Sequence, residues 1–257
     1  MSEYCAKELL YHKIAALRER LGLGEDQIPD DLPDACRKIP NLALEVVCFN
    51  TPGLRGIACI GDADSKDVIL LNRSESPKEQ SFSCGHELIH ITLHRSAKRK
   101  TWSCFDKVRE NQNRFLEWQA NEGSAELHLP YRLLLPAIRE YRGTLDSWRG
   151  ISAMKKELAE RFCVSEVVLQ FRIESLKYEI EQYLHDLPLD EVRILSASGQ
   201  ERLGIRIRSL NAAEEEGRRR DCEALLHEPP PAPDALPLSD RDLRLLSDLE
   251  ERWLYDV

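Results

Sequence analysis

The run His86-Glu87-Leu88-Ile89-His90 has the residue types and the spacing of a metal-dependent hydrolase. On a helix, residues four apart share a face at about 100° per residue, so His86 and His90 can hold one zinc ion. Glu87 is offset by a single step of about 100°, which lets its carboxylate reach a reacting water without itself being a ligand. A catalytic zinc takes three protein ligands, so another has to come from downstream. His94 continues the stripe by four residues but lies a further turn along the axis, which suits packing or support of a ligand better than ligation. Glu117, Glu122 and Glu126 lie together on one predicted helix. Glu117 has Asn121 four residues on, positioned to hydrogen-bond a ligand histidine. Glu122, with Asn121 before it and Ser124 after it, instead imitates the Asn-Glu-x-x-Ser pattern of thermolysin-like enzymes, and spacing leaves Glu117 and Glu122 level.

The surrounding pattern supplies elements to position these groups. Residues 69–72 read as a strand, the turn Ser74-Glu75-Ser76-Pro77 follows, and a helix is expected from near Ser81. Its apolar residues Phe82, Leu88, Ile89, Ile91 and Leu93 predict a buried, central helix. Before it lie a helical entry segment over residues 3–21 and three β-rich runs, 42–49, 56–60 and 68–71, broken by turn residues. After it, helices are expected over 113–129 and 131–141, with a pair between 152 and 184. Residues 192–207 read as a hairpin turning at Ser198-Gly199. Residues 211–228 are charge-mixed, 228–237 are proline-rich, and Ser239-Asp240 is placed to cap a last helix. Small residues Ala120 and Ser124 would let their helix approach the motif helix closely.

The expected class is α+β: a small, mainly antiparallel sheet with a central HExxH helix in a gluzincin-like arrangement, then a helix-turn-helix-like segment and a short hairpin and tail. The expected division is residues 1–40 (N-terminal helical segment), 41–145 (metallopeptidase core), 146–186 (helix-turn-helix-like) and 187–257 (hairpin, linker and terminal helix).

Composition narrows the function classes. At 257 residues and 42% hydrophobic content the chain can bury a core. No apolar run approaches the roughly 20 residues of a membrane span. The N-terminus lacks a signal-peptide pattern, so a cytoplasmic location is expected. A net charge of -9 argues against a broad phosphate-binding surface, and direct nucleic-acid binding is not expected. The basic runs 95–100 and 218–220 read as solvated surface. Eight cysteines without a CxxC pair do not form a zinc ribbon and read as free thiols, Cys84 among them. Within 152–184, the second helix of the pair offers Glu166, Val167, Val168, Leu169, Gln170 and Phe171. That is a poor set for reading bases, so a structural or protein-binding role is expected.

The order Leu70-Leu71-Asn72, then Ser81-Phe82-Ser83-Cys84-Gly85-His86-Glu87-Leu88-Ile89-His90, then Glu117-x-x-Ala120-Asn121-x-x-x-Ala125-Glu126-Leu127-x-Leu129-Pro130, resembles the ImmA/IrrE metallopeptidases over roughly residues 40–180. The resemblance implies that Glu117 is the third zinc ligand and Asn121 its support. It further implies one zinc ion per chain, with Glu87 as general base. Gly123-Ser124, His128-Leu129 and Ile89 depart from the family pattern without removing a ligand or the base. The resemblance also implies a cytoplasmic endopeptidase whose protein substrate is a helix-turn-helix transcriptional repressor. Two other readings stand beside it: a regulatory module that keeps the metal for structure and captures a repressor or toxin partner without cutting it, and a host-directed peptidase. The scissile bond, the oxyanion donor and the oligomeric state are not legible in the sequence.

Overall fold

The computed structural model describes residues 6–227, apart from 25, 30 and 98. Two compact units are Met1–Gly217 and Arg218–Val257; the described part of the second is residues 218–227. The proline-rich stretch and the terminal helix expected beyond it lie outside the described residues.

The fold is α+β, with ten α-helices and a four-stranded sheet among the described residues. Helix α1 (Ala6–Arg20) and the short α2 (Leu32–Arg37) precede strands β1 (Leu42–Val47), β2 (Leu54–Cys59) and β3 (Asp67–Asn72). Helix α3 (Pro77–Leu93), strand β4 (Thr101–Phe105) and helix α4 (Arg114–His128) follow. The sheet order is β1-β3-β2-β4. Strand β1 runs parallel to β3, whereas β2 is antiparallel to both β3 and β4, so the sheet is mixed.

Helix α3 starts at Pro77, four residues earlier than the expected Ser81. Ser76 caps it, and Ser76 and Glu79 form a reciprocal capping box with Pro at the first turn. Residues that read as a turn are therefore a helix start signal. One face of α3 joins the core through Leu88, Ile89 and Ile91, together with Ile14, Leu32, Leu44, Ile69 and Leu71. Its other neighbour is α4, and the approach is close: a Cβ on Gly85 would stand 2.5 Å from Ser124 Oγ. Ser124 Oγ donates a 2.8 Å hydrogen bond to the Phe82 carbonyl.

A second core lies among α5 (Tyr131–Arg139), α6 (Trp148–Arg161), α7 (Glu166–Ser175) and α8 (Lys177–Leu184), where Leu134, Ile138, Met154, Leu158, Leu169, Ile173 and Ile180 are buried together. The expected helical pair is thus three helices, with α7 capped by Ser165 and α8 following at once. The expected hairpin over 192–207 is not formed. Helix α9 (Ala197–Arg202) occupies its centre, because Ser196 accepts from Gly199 N and so turns Ser198-Gly199 into a first helical turn. The Val192/Ile194 alternation is real, but side chains of α8 replace the partner strand. Gln182 bonds both backbone groups of Arg193, and Glu179 Oε1 accepts from Leu195 N. The charge-mixed stretch after it is helix α10 (Leu210–His227), tied down by the buried pair Lys155–Glu214 at 2.5 Å.

Candidate metal centre

Helix α3 presents His86 and His90 on one face, with their Nε2 atoms 3.1 Å apart. Helix α4 brings Glu117 against them: Glu117 Oε2 lies 3.3 Å from His86 Nε2 and 3.7 Å from His90 Nε2. All three side chains are at most 3% exposed. Zinc bonds of about 2.0–2.1 Å in a tetrahedral site put neighbouring ligand atoms about 3.3–3.4 Å apart, so the three atoms have the separation that one ion requires.

The outer nitrogens of the two histidines fix what faces inward. His86 Nδ1 lies 2.9 Å from Asn121 Oδ1, an acceptor, so it carries the proton and Nε2 bears a lone pair. His90 Nδ1 lies 2.9 Å from His94 Nδ1, and His94 Nε2 lies 3.1 Å from Gln119 Oε1. With Gln119 accepting, His94 Nδ1 must accept from His90, so His90 Nε2 also bears a lone pair. Two nitrogen lone pairs and a carboxylate oxygen thus converge in a buried space, an arrangement stable only with positive charge among them. In the metal-free chain a proton on His86 supplies it. Burial works to lower His86, but Cys104, Glu117 and Glu87 beside it hold its pKa well above the usual imidazole value. Burial lowers His90 to about 4. For Glu117, burial is outweighed by contacts with His86 and His90, which hold it at about 2. Glu117 Oε1 is buried with no hydrogen-bond partner, and among the described residues no Lys or Arg pairs with Glu117. The donor set, two imidazoles and one carboxylate, fits zinc.

Glu87 projects from α3 onto β2, where Gly56 leaves room for it. A Cβ at Gly56 would come within 2.8 Å of Glu87 Oε1. Burial raises Glu87 to about 8, opposed by His86 and, more weakly, by the backbone of Cys104 and Ala58. A carboxylate this deeply buried accepts a proton readily.

Of the other sequence candidates, Asn121 and His94 stand behind the two histidines, as described. Glu122 and Glu126 point away to Arg172 on α7. Sequence reasoning missed β4, whose buried residues alternate as Trp102 and Cys104. Trp102 stacks on the His90 ring, with centroids 4.4 Å apart and planes 10° apart. Cys104 Sγ lies within 4.8 Å of ligand atoms of both His86 and Glu87. The period-two pattern of Thr101-Trp102-Ser103-Cys104-Phe105 was the available signal. Gln119 and Gly56 carried none.

No curated protein matches this chain. A solved structure of a Mycobacterium tuberculosis transcriptional regulator is similar at 15% identity, over 66% of this chain and 47% of that one, with a TM-score of 0.43. The chain thus spans about half the length of that structure. Among the described residues, no helix is long and apolar enough to cross a membrane. The family profile of the IrrE N-terminal-like domain, a peptidase family, matches residues 47–174, and the chain belongs to that ImmA/IrrE family.

Proposed function

We propose that this chain is a zinc-dependent endopeptidase of gluzincin-like arrangement. His86, His90 and Glu117 would hold the ion, Asn121 would orient His86, and Glu87 would act as general base. The observation that carries this reading is the convergence of three potential ligand atoms, His86 Nε2, His90 Nε2 and Glu117 Oε2, with no Lys or Arg among the described residues paired to them. Zinc bound there would lower the pKa of a water towards about 7 and polarise a scissile carbonyl.

The remaining steps belong to the chain. Glu87 takes the proton from the attacking water at its carboxylate and returns it to the leaving amine. Burial over Gly56 keeps that carboxylate basic. Asn121 and His94 hold the two imidazoles in the tautomers that present Nε2 lone pairs inward.

A protein substrate, namely a helix-turn-helix transcriptional repressor, follows from family membership rather than from the geometry. Cleavage would switch on the genes that such a repressor silences. The test pairs metal content with turnover. Purified without chelators, the chain should carry one zinc, and Glu87→Gln should keep the zinc while losing cleavage of the repressor encoded beside its gene. A Glu87→Gln variant that still cleaves sinks the mechanism.

The second reading is capture of a repressor or toxin partner without cleavage, around a structural metal. Burial favours it, since His90 and Glu87 are 0% exposed and His86 is 2% exposed. A zinc-loaded chain that binds the repressor and leaves it intact decides for this reading.

A further inference from the structure

Helix α7 is the second helix of the segment that reads as helix-turn-helix-like, and in that position a DNA-binding helix turns cations and amides outward to bases and phosphates. Here Glu166, Val167, Gln170, Phe171 and Glu174 share the outward face, and all five are exposed. Val167 is 73% exposed and Phe171 39%. The helix has a single cation, Arg172, which is turned inward to Glu122 and Glu126. The outward face therefore combines an apolar pair four residues apart with two carboxylates and no base. Lys177 pairs with Glu174 at 2.9 Å, a surface pair of little strength, and among the described residues no cation pairs with Glu166. This face repels phosphates, whereas a positively charged helix with an apolar stripe is complementary to it.

The apolar surface continues beyond α7. Phe171 borders a cleft of about 210 Å³ that it shares with Trp118 and Ala197. That is below the roughly 300–1,000 Å³ of small-molecule sites and suits one inserted side chain of a protein. On the far side Trp118 stacks on Phe115, with ring centroids 5.7 Å apart, and Phe115 is 51% exposed. Apolar surface thus runs from α7 to the first turn of α4, two residues before Glu117. Single apolar side chains are ordinary on a surface, but a contiguous row of them marks a protein contact.

We propose that the outward face of α7, together with the cleft beside Trp118, docks a basic amphipathic helix of the partner protein. Where the partner is a repressor, that helix is its DNA-reading helix, which is basic because its own ligand is a polyanion. The inference rests on the repressor reading for the source of the helix, while docking itself requires neither metal nor cleavage. Apolar residues of the incoming helix lie on Val167 and Phe171, one of them enters the cleft, and its cations face Glu166 and Glu174. A partner held there lies along the surface that leads to the helix carrying Glu117.

Two fluorescein-labelled helical peptides of equal length test the docking, both with leucines at i and i+4, one flanked by lysines and the other by glutamates. Anisotropy titrations use the full chain, with circular dichroism and thermal melting as checks on the folding of each variant. The lysine peptide should bind about tenfold or more tightly than the glutamate peptide, and less tightly as salt rises. Val167→Ser and Phe171→Ser should each weaken it about tenfold. Glu166→Lys should weaken the lysine peptide and strengthen the glutamate peptide, each about threefold. Equal binding of the two peptides, or binding of neither, overturns the proposal. Lysine-peptide binding unchanged in both Val167→Ser and Phe171→Ser places the contact elsewhere and overturns it as well. The lysine peptide should also displace the repressor encoded beside the gene from the Glu87→Gln chain, and a failure to compete removes the repressor as the occupant. A wild type that docks the lysine peptide as expected but cleaves no repressor overturns the peptidase reading alone.

Discussion

Of the three buried carboxylates on helix α4, Glu117 and Glu122 stand five residues and about 140° apart, and the chain treats them in opposite ways. Glu122 meets Arg172 at 2.8 Å, Tyr11 at 2.5 Å and Ser175 at 2.8 Å. Arg172 also pairs with Glu126 and donates to the Leu129 carbonyl. Nearby, Lys7 pairs with Glu179 at 3.0 Å. Burial works to raise Glu122, but Lys7, Arg172, Tyr11 and Ser175 outweigh it and hold it low. Glu117, equally buried, meets only imidazoles whose outer nitrogens are already engaged. A buried carboxylate matched by a fixed guanidinium is a fastener, whereas one facing two imidazoles completes a donor set that suits a metal. Both kinds occur on one helix, so helix type and burial alone do not tell a site from a strut.

The comparison breaks most visibly at the fastener. Arg172→Met keeps the bulk but leaves Glu122 and Glu126 without their cation, which should cost about 3–5 kcal/mol. Urea unfolding at neutral pH checks it. A loss below about 1 kcal/mol would show that Lys7 or water compensates, and the contrast between the two clusters would collapse.

Zinc tests the other half. Added at about 100 times its dissociation constant, zinc should stabilise the wild type by about 2.7 kcal/mol, read as a rise in melting temperature. Glu117→Gln should lose most of this gain, because an amide oxygen is a weak ligand. Glu122→Gln should keep all of it. Equal losses in the two variants would return the third ligand to the ambiguity that spacing alone leaves.

Much of the fold and site is legible in the sequence, for identifiable reasons. His86, Glu87 and His90 declare themselves as candidates because the chemistry open to them follows from local spacing on one helix. That Glu117 rather than Glu122 lies beside the two histidines is not a local fact. It depends on Arg172, fifty residues further on, claiming Glu122, and no spacing rule on α4 contains that fact. Strand β4 escaped because a basic run precedes it and the strand is only five residues long, so its Trp102/Cys104 alternation spans two inward positions. The hairpin was misread for the complementary reason. Alternation reports a half-buried extended chain, and residues 192–195 are that, but their backbone partners are side chains of α8 rather than a strand.

Glu87 distinguishes the two clusters by pH. Its folded pKa of about 8 exceeds the usual carboxylate value, so the folded metal-free chain holds a proton that the unfolded chain gives up. Its contribution is fully present below about pH 4.5 and is lost as pH rises through about 8. Glu87→Gln has no proton to lose. After chelation, the variant should therefore gain on the wild type between pH 5 and pH 8.5, by about 3–4 kcal/mol, measured as the difference between their urea midpoints. A pH-independent difference would mean that Glu87 is satisfied by water, and that the site is more open than its burial indicates.

The smallest effect is expected at His94, and it tests whether the centre is organised beyond its ligands. His94 Nδ1 accepts from His90 Nδ1 while its Nε2 donates to Gln119 Oε1, a chain that leaves one tautomer for His90. His94→Phe keeps a ring of similar size against Trp102, which stands 5.6 Å from the His94 ring, but removes the acceptor. His90 is then free to carry its proton on Nε2, where it blocks ligation, so zinc affinity should fall about tenfold with little change in the stability of the metal-free chain. His94→Asn, whose side-chain oxygen can accept from His90, should recover part of the loss. Competition with a chromophoric chelator measures both. If His94→Phe binds zinc as tightly as the wild type, Trp102 stacking alone fixes His90, and the hydrogen-bonded chain through Gln119 is packing of the same kind as the Arg172 cluster.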